Sequence, residues 1–222
     1  MIRLTRSGLV LNGPPAELRQ LRQQFDREHH VILPKLLEPE LLEMVLRRVE
    51  AARFTPNVDD HLTSETTMQD PDTVYLLTFL FNMPAFQRVV QRITGCRRIA
   101  TFNGRVYRMS ASEGHHTVWH NDIVNHRMVA CSLNLGREEF RGGALQLRYR
   151  DSKQILHEVH NTGLGDALLI RVSRKLVHRV SPVEGDAPKI ALAGWFRWDR
   201  KDYHSALRSG AGKLKNNGKN SL

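Results

Sequence analysis

The run Leu145-Gln146-Leu147-Arg148-Tyr149-Arg150 alternates apolar and polar side chains at every step. Successive side chains of an extended strand point to opposite faces, so this period of two predicts a half-buried strand at 144–150. Similar short segments, rich in β-branched and apolar residues and punctuated by Gly, Asn and Asp, lie at 98–109, 115–120, 127–135, 154–159, 167–172, 176–180 and 189–198. Together they make about eight strands, a number that closes into a jelly roll or barrel.

The chain before them has a different period. Residues 15–28 read as a helix with Pro in its first turn. From Glu38 to Arg53, Leu41, Val45, Val49 and Ala52 fall on one stripe, widened by Leu42 and Leu46. A short apolar run, Val31-Ile32-Leu33, separates these two helices, and a third helical stretch over 72–93 is broken near Met83-Pro84. Residues 54–72 are polar, acidic and unpatterned, which reads as a long surface loop or a lid. The expected fold is α+β but mainly β: a double-stranded β-helix (jelly-roll) core with the N-terminal helices packed outside one sheet. One domain is expected over 1–208, helical to about 95 and jelly-roll over about 96–200. A Gly-, Lys- and Asn-rich basic tail, 209–222, is expected to be disordered.

Composition sets outer limits. With 222 residues, 41% hydrophobic and 25% charged, the chain can bury a full core unaided. No apolar run approaches the roughly 20 residues of a membrane-spanning helix. Cys96 and Cys131 have neither metal-ligand spacing nor the numbers for a disulfide framework, so a cytoplasmic protein without a membrane partner is expected. Lys plus Arg is 33 against 23 Asp plus Glu, a formal charge of +10. Three of the cations, Lys213, Lys215 and Lys219, sit in the tail. The surplus suits an anionic partner such as nucleic acid, but a solvated basic surface accounts for it more simply.

The chemistry-bearing stretch is Thr117-Val118-Trp119-His120-Asn121-Asp122. Residues two apart in a strand share a face, so His120 and Asp122 can ligate one ion. Downstream, Lys175-Leu-Val-His178-Arg-Val-Ser-Pro182 places another histidine in a short apolar strand before a Pro/Gly turn. Two histidines and one carboxylate form the facial ligand set of non-haem Fe(II) oxygenases. On the residues alone, satisfied polar groups at strand ends remain the competing reading.

Several motifs in order tip the balance. Tyr107, His120-Asn121-Asp122, the strand Arg127–Leu135, Phe140-Arg-Gly142-Gly143-Ala-Leu145, His178-Arg-Val-Ser-Pro-Val and Lys189-Ile-Ala-Leu-Ala-Gly-Trp-Phe-Arg197 follow one another over residues 99–198. This region resembles the 2-oxoglutarate/Fe(II)-dependent dioxygenases of the prolyl-4-hydroxylase-like branch, with a phytanoyl-CoA-hydroxylase-like N-terminal part. The resemblance implies that His120, Asp122 and His178 bind Fe(II), with 2-oxoglutarate and O2 as cosubstrates. It places Lys189 on the distal carboxylate of 2-oxoglutarate, where many relatives carry Arg, and Tyr107 on the same cosubstrate. Asn134 stands where some relatives have a second cosubstrate-binding tyrosine. The implied reaction hydroxylates an unactivated C–H bond and decarboxylates 2-oxoglutarate to succinate and CO2.

Strand parity adds detail. If Lys189 faces inward, so do Ala191, Ala193, Trp195 and Arg197, while Leu192 and Phe196 face an outer layer. Arg197 is thereby a candidate substrate contact. Asn134 carries Ser132, Ala130 and Met128 inward with it. Trp119 and Trp195 are expected as core residues or cavity walls. The cluster Arg171, Arg174, Lys175 and Arg179 is either substrate-attracting or solvated. The expected substrate is an amino acid or a peptidyl residue, then a small metabolite; alternatives are oxidative demethylation of nucleic acid and a non-catalytic cupin-like binding module. Oligomeric state is not legible.

Overall fold

The computed structural model describes residues 1–57, 62–124 and 126–199. The elements run β1 (Ile2–Thr5), β2 (Gly8–Leu11), α1 (Pro15–Glu28), β3 (His30–Leu33), α2 (Pro39–Ala51), β4 (Phe54–Pro56), β5 (Thr66–Met68), α3 (Pro71–Phe81) and α4 (Pro84–Thr94). There follow β6 (Thr101–Met109), β7 (Thr117–His120), β8 (Arg127–Asn134), β9 (Arg141–Gly142), β10 (Leu145–Tyr149) and β11 (Ile155–Val159). The chain continues through β12 (Ala167–Arg171), β13 (Leu176–Val180), β14 (Val183–Glu184) and β15 (Lys189–Arg197).

All four helices open with Pro in the first turn, where its missing N–H costs nothing. Asp70 caps α3, accepting from the backbone N–H groups of Asp72 at 3.1 Å and Thr73 at 3.4 Å. Gly95 stops α4 at φ 74°, a left-handed turn that favours glycine. The break between α3 and α4 falls at Pro84, as the sequence predicts.

The strands form a double-stranded β-helix. Its major sheet runs β3-β12-β8-β15-β6-β5-β4 and its minor sheet β11-β10-β13-β7, with antiparallel pairing throughout. The helices cover the outer face of the major sheet. Val106, Val129, Cys131, Leu133, Leu169 and Leu192 share a core with α1–α4. At its centre Phe81, Phe86, Phe102 and Phe196 meet, all fully buried, with ring centroids 4.7 Å (Phe81–Phe102) to 6.3 Å (Phe81–Phe196) apart. The opposite face of the major sheet looks toward the minor one, and Ala130, Leu168 and Ile170 pack there with Leu145.

Two glycines make the aromatic centre possible. Gly194 and Gly104 are cross-strand partners, and a Cβ on Gly194 would fall 2.4 Å from the Phe102 ring and 2.4 Å from the Asn103 carbonyl. The Phe102 ring therefore lies in the space that a side chain at 194 would occupy. Gly194→Ala is expected to lower stability by about 1–3 kcal/mol through overpacking, seen as a lower urea midpoint at unchanged slope.

Two expectations need correction. Of residues 54–72, 58–61 lie outside the described residues, and the remainder is not plain loop: β4 and β5 form an antiparallel pair that extends the major sheet beside β6. Its strands are too short and too polar to show a period. Val31-Ile32-Leu33 belongs to the edge strand β3, paired with β12, and the N-terminal hairpin β1–β2 had no pattern to announce it. Met128 packs against the helix-side core rather than inside the barrel. The tail 209–222 lies outside the described residues.

Candidate active site

Register brings the two imidazoles together. His178 on β13 is the direct partner of His120 on β7, and opposed residues on antiparallel strands share a face at Cβ separations of about 5 Å. Their ring centroids are 4.4 Å apart. Asp122, just past the end of β7, sends Oδ2 to 3.3 Å from His178 Nε2 and Oδ1 to 3.7 Å from His120 Nε2. The three donor atoms lie within 4.8 Å of one another. Bonds of about 2 Å at right angles to one ion would set neighbouring donors about 3 Å apart, so small side-chain adjustments suffice for a shared metal.

The tautomer also fits. His120 Nδ1 is 2.8 Å from the Val118 carbonyl oxygen. That oxygen can only accept, so Nδ1 carries the proton and Nε2 offers its lone pair toward Asp122. Burial pushes the Asp122 carboxyl up, but the His178 imidazole outweighs it, joined by the Trp195 indole N–H and His120, and holds its pKa at about 2. An anionic oxygen is thus present at neutral pH. Arg127 braces it: Nη1 lies 3.3 Å from Asp122 Oδ1, with the guanidinium 3.5 Å above the Trp195 ring.

Beside the triad is a cavity of about 110 Å³. Lys189, at the start of β15, reaches its wall and donates from Nζ to the Gly143 carbonyl at 2.6 Å. Desolvation draws its ammonium down to about 8. An ammonium has three donors, so a carboxylate in the cavity would repair that loss of solvation. Tyr107 shares the wall, 5% exposed, with its hydroxyl beside Ser132. Burial first, and the charge of Glu65 second, push the phenol up, so it remains a hydrogen-bond donor. Ala193 leaves room between Lys189 and Trp195 on the same strand face, and all three line the cavity.

Two candidates sit differently from expectation. The Asn134 amide donates to Asn161 Oδ1 at 3.1 Å and to the Gly163 carbonyl at 3.3 Å, while its oxygen accepts from Gly136 N at 3.0 Å. It ties the 161–163 loop to β8, although it also borders a small side cavity with Lys189. Arg197 is 3% exposed, is paired with Asp199 at 3.2 Å, and does not line the main cavity. Trp195 forms cavity wall, whereas Trp119 lies on the outer face of the minor sheet between Arg148 and Arg179, 4.4 and 4.9 Å from its ring. Arg171 belongs to the α1 junction, bound to Asp26 at 2.8 Å.

Sequence reasoning missed Glu65, Arg105 and Arg127. Arg105 was within reach: parity along β6 puts it on the face of Tyr107 and Met109, and all three line the cavity. Glu65 lies in a segment without pattern, and Arg127 gains its role only from the loop that returns β8 beside Asp122.

A family model described as the 2OG-Fe(II) oxygenase superfamily matches residues 104–197. No curated protein matches the chain. Among solved structures, a prolyl-4-hydroxylase of Pseudomonas putida is similar at 18% identity and TM-score 0.60, over 82% of this chain and 100% of that one. A Trichoplax adhaerens prolyl hydroxylase, solved with a hypoxia-inducible-factor peptide fragment, aligns at 16% identity and TM-score 0.59, covering 88% and 97%. A 2OG-Fe(II) oxygenase-family oxidoreductase of Burkholderia pseudomallei aligns at 14% identity and TM-score 0.62, covering 90% and 96%. At these identities the likeness establishes the fold. Residues 104–197, the part of the chain that is similar to the 2OG-Fe(II) oxygenase superfamily, contain all three donors, His120, Asp122 and His178.

Proposed function

We propose that this protein hydroxylates an unactivated C–H bond of an amino acid or peptidyl residue. The observation that carries the reading is the joint placement of the His120–Asp122–His178 donors and the Lys189 ammonium on one cavity. When bound, Fe(II) and 2-oxoglutarate supply the oxidising chemistry, in which O2 is consumed and the keto acid is decarboxylated to succinate and CO2.

The chain supplies the remainder. His120, Asp122 and His178 would hold the metal, beside the cavity that all three line. Arg127 orients the Asp122 carboxylate, and the His178 imidazole keeps it ionised. Lys189 pairs with the distal carboxylate of 2-oxoglutarate, which would otherwise be an unpaired buried charge, and the Tyr107 hydroxyl donates to the same cosubstrate. Apolar groups such as Leu145, Leu168 and Ile170 restrict water around the reacting carbon. An amino acid or peptidyl substrate is supported by the two similar folds named as prolyl hydroxylases, one of them solved with a peptide.

The first test is anaerobic titration with Fe(II) and 2-oxoglutarate. A visible metal-to-ligand charge-transfer band is expected, and its absence at saturating concentrations would refute the reading. A pH dependence follows from Lys189. Its ammonium is charged below about pH 8 in the free protein, so affinity for 2-oxoglutarate should be full there. As pH rises further the cation is lost, and affinity should fall by up to about tenfold per pH unit, shown by the dissociation constant measured from pH 6 to 10. The same lowered pKa has the opposite effect on folding. Burying the cation costs stability below about pH 8, and that cost fades toward 10.5, where the unfolded side chain also deprotonates.

A further inference from the structure

The cavity wall contains a second pair of charges that neither the metal nor 2-oxoglutarate requires. The segment 62–66 crosses from one sheet to the other. Val118 N donates to the Leu62 carbonyl at 3.0 Å and Ser64 N to the His116 carbonyl at 2.9 Å, while Thr66 is already registered against Arg108 of β6. Glu65 lies in that crossing, 4% exposed, and accepts from Arg105 Nε of β6. Both side chains line the cavity that holds the triad. The Arg105 guanidinium also stands 5.8 Å from the Trp195 ring, on the same wall.

An ion pair with one buried and one half-buried partner is a poor way to gain stability, since desolvation of the buried charge offsets much of the attraction. On a cavity wall it has another use. Two opposite charges side by side match a ligand carrying the reverse pair. We propose that Glu65 and Arg105 recognise a free α-amino acid, Glu65 binding its ammonium and Arg105 its carboxylate. A residue inside a polypeptide has amides at both positions and would leave both ions unmatched. The substrate assignment rests on the oxygenase reading, whereas the binding itself does not.

The test compares binding of the common free L-amino acids with their N-acetyl amides, by calorimetry on the full-length protein under anaerobic conditions with Mn(II) present. At least one free amino acid should bind about tenfold or more tightly than its capped form. For that amino acid, Glu65→Gln should weaken binding about 10- to 100-fold, the worth of a hydrogen bond to a charged group. The same variant should leave the corresponding des-amino carboxylic acid bound as before. Arg105→Gln should show the converse, sparing the decarboxylated amine. Equal binding of free and capped forms overturns the proposal, as does a variant that weakens amino acid, acid and amine alike. Failure of 2-oxoglutarate to bind the unaltered protein in a separate titration would instead remove the oxygenase reading and leave this result standing.

Discussion

Asp122→Ala should abolish both the charge-transfer band with Fe(II) and 2-oxoglutarate and the release of succinate, while the protein stays folded. The carboxylate is the only anionic donor of the triad, and its loss leaves two imidazoles. Its pKa of about 2 means that the wild-type ligand is ionised across the working range, so the effect should not depend on pH between 5 and 9. Asp122→Asn is the informative companion. It keeps the shape and can still accept from Arg127, which lies 3.3 Å from Oδ1, but it removes the charge. Metal affinity measured by competition should fall steeply in both variants, and thermal unfolding without metal should separate this loss from damage to the fold. Full succinate production by Asp122→Ala would show that the assigned donors are not the metal site.

The largest effect on stability is expected from Phe196→Ala, at about 3–5 kcal/mol. Phe196 is fully buried and its ring meets those of Phe102 at 4.9 Å, Phe86 at 6.1 Å and Phe81 at 6.3 Å. It therefore joins α3 and α4 to the two central strands of the major sheet. For a chain of this size the loss corresponds to a fall in Tm of roughly 10 °C. Phe196→Leu should recover much of it by refilling the cavity. The site should respond too, because Trp195, the next residue, forms the wall beside Asp122. A drop below 1 kcal/mol for the alanine variant would mean that the aromatic cluster does not hold helices to sheet.

Much of this architecture was legible in the sequence because burial leaves a period. The alternation along Lys189–Arg197 assigns Leu192 and Phe196 to the helix side and Ala193 and Trp195 to the cavity, and the structure agrees. The helices of 15–28 and Glu38–Arg53 were also legible, the first from Pro in its first turn and the second from its apolar stripe. The donor residues His120, Asp122 and His178 were recognisable from residue type and motif order. Asn134 and Arg197 show where parity stops being informative. It tells which face a side chain leaves from, and says nothing of the Asn161–Gly163 loop or of Asp199, which engage these two.

Residue type, spacing and periodicity by themselves determined the strands of a jelly roll or barrel and the helices outside it, while the three side chains able to ligate a metal were singled out by the resemblance that the order of several motifs carries. Only the tertiary structure decided that His120 and His178 stand opposite one another, that Arg127 reaches the Asp122 carboxylate, and that Glu65 comes down on Arg105. The physical reason is that the first set follows from local burial, repeated every two or four residues. The second depends on strand register and on a crossing segment, contacts between distant parts of the chain whose geometry no local pattern encodes.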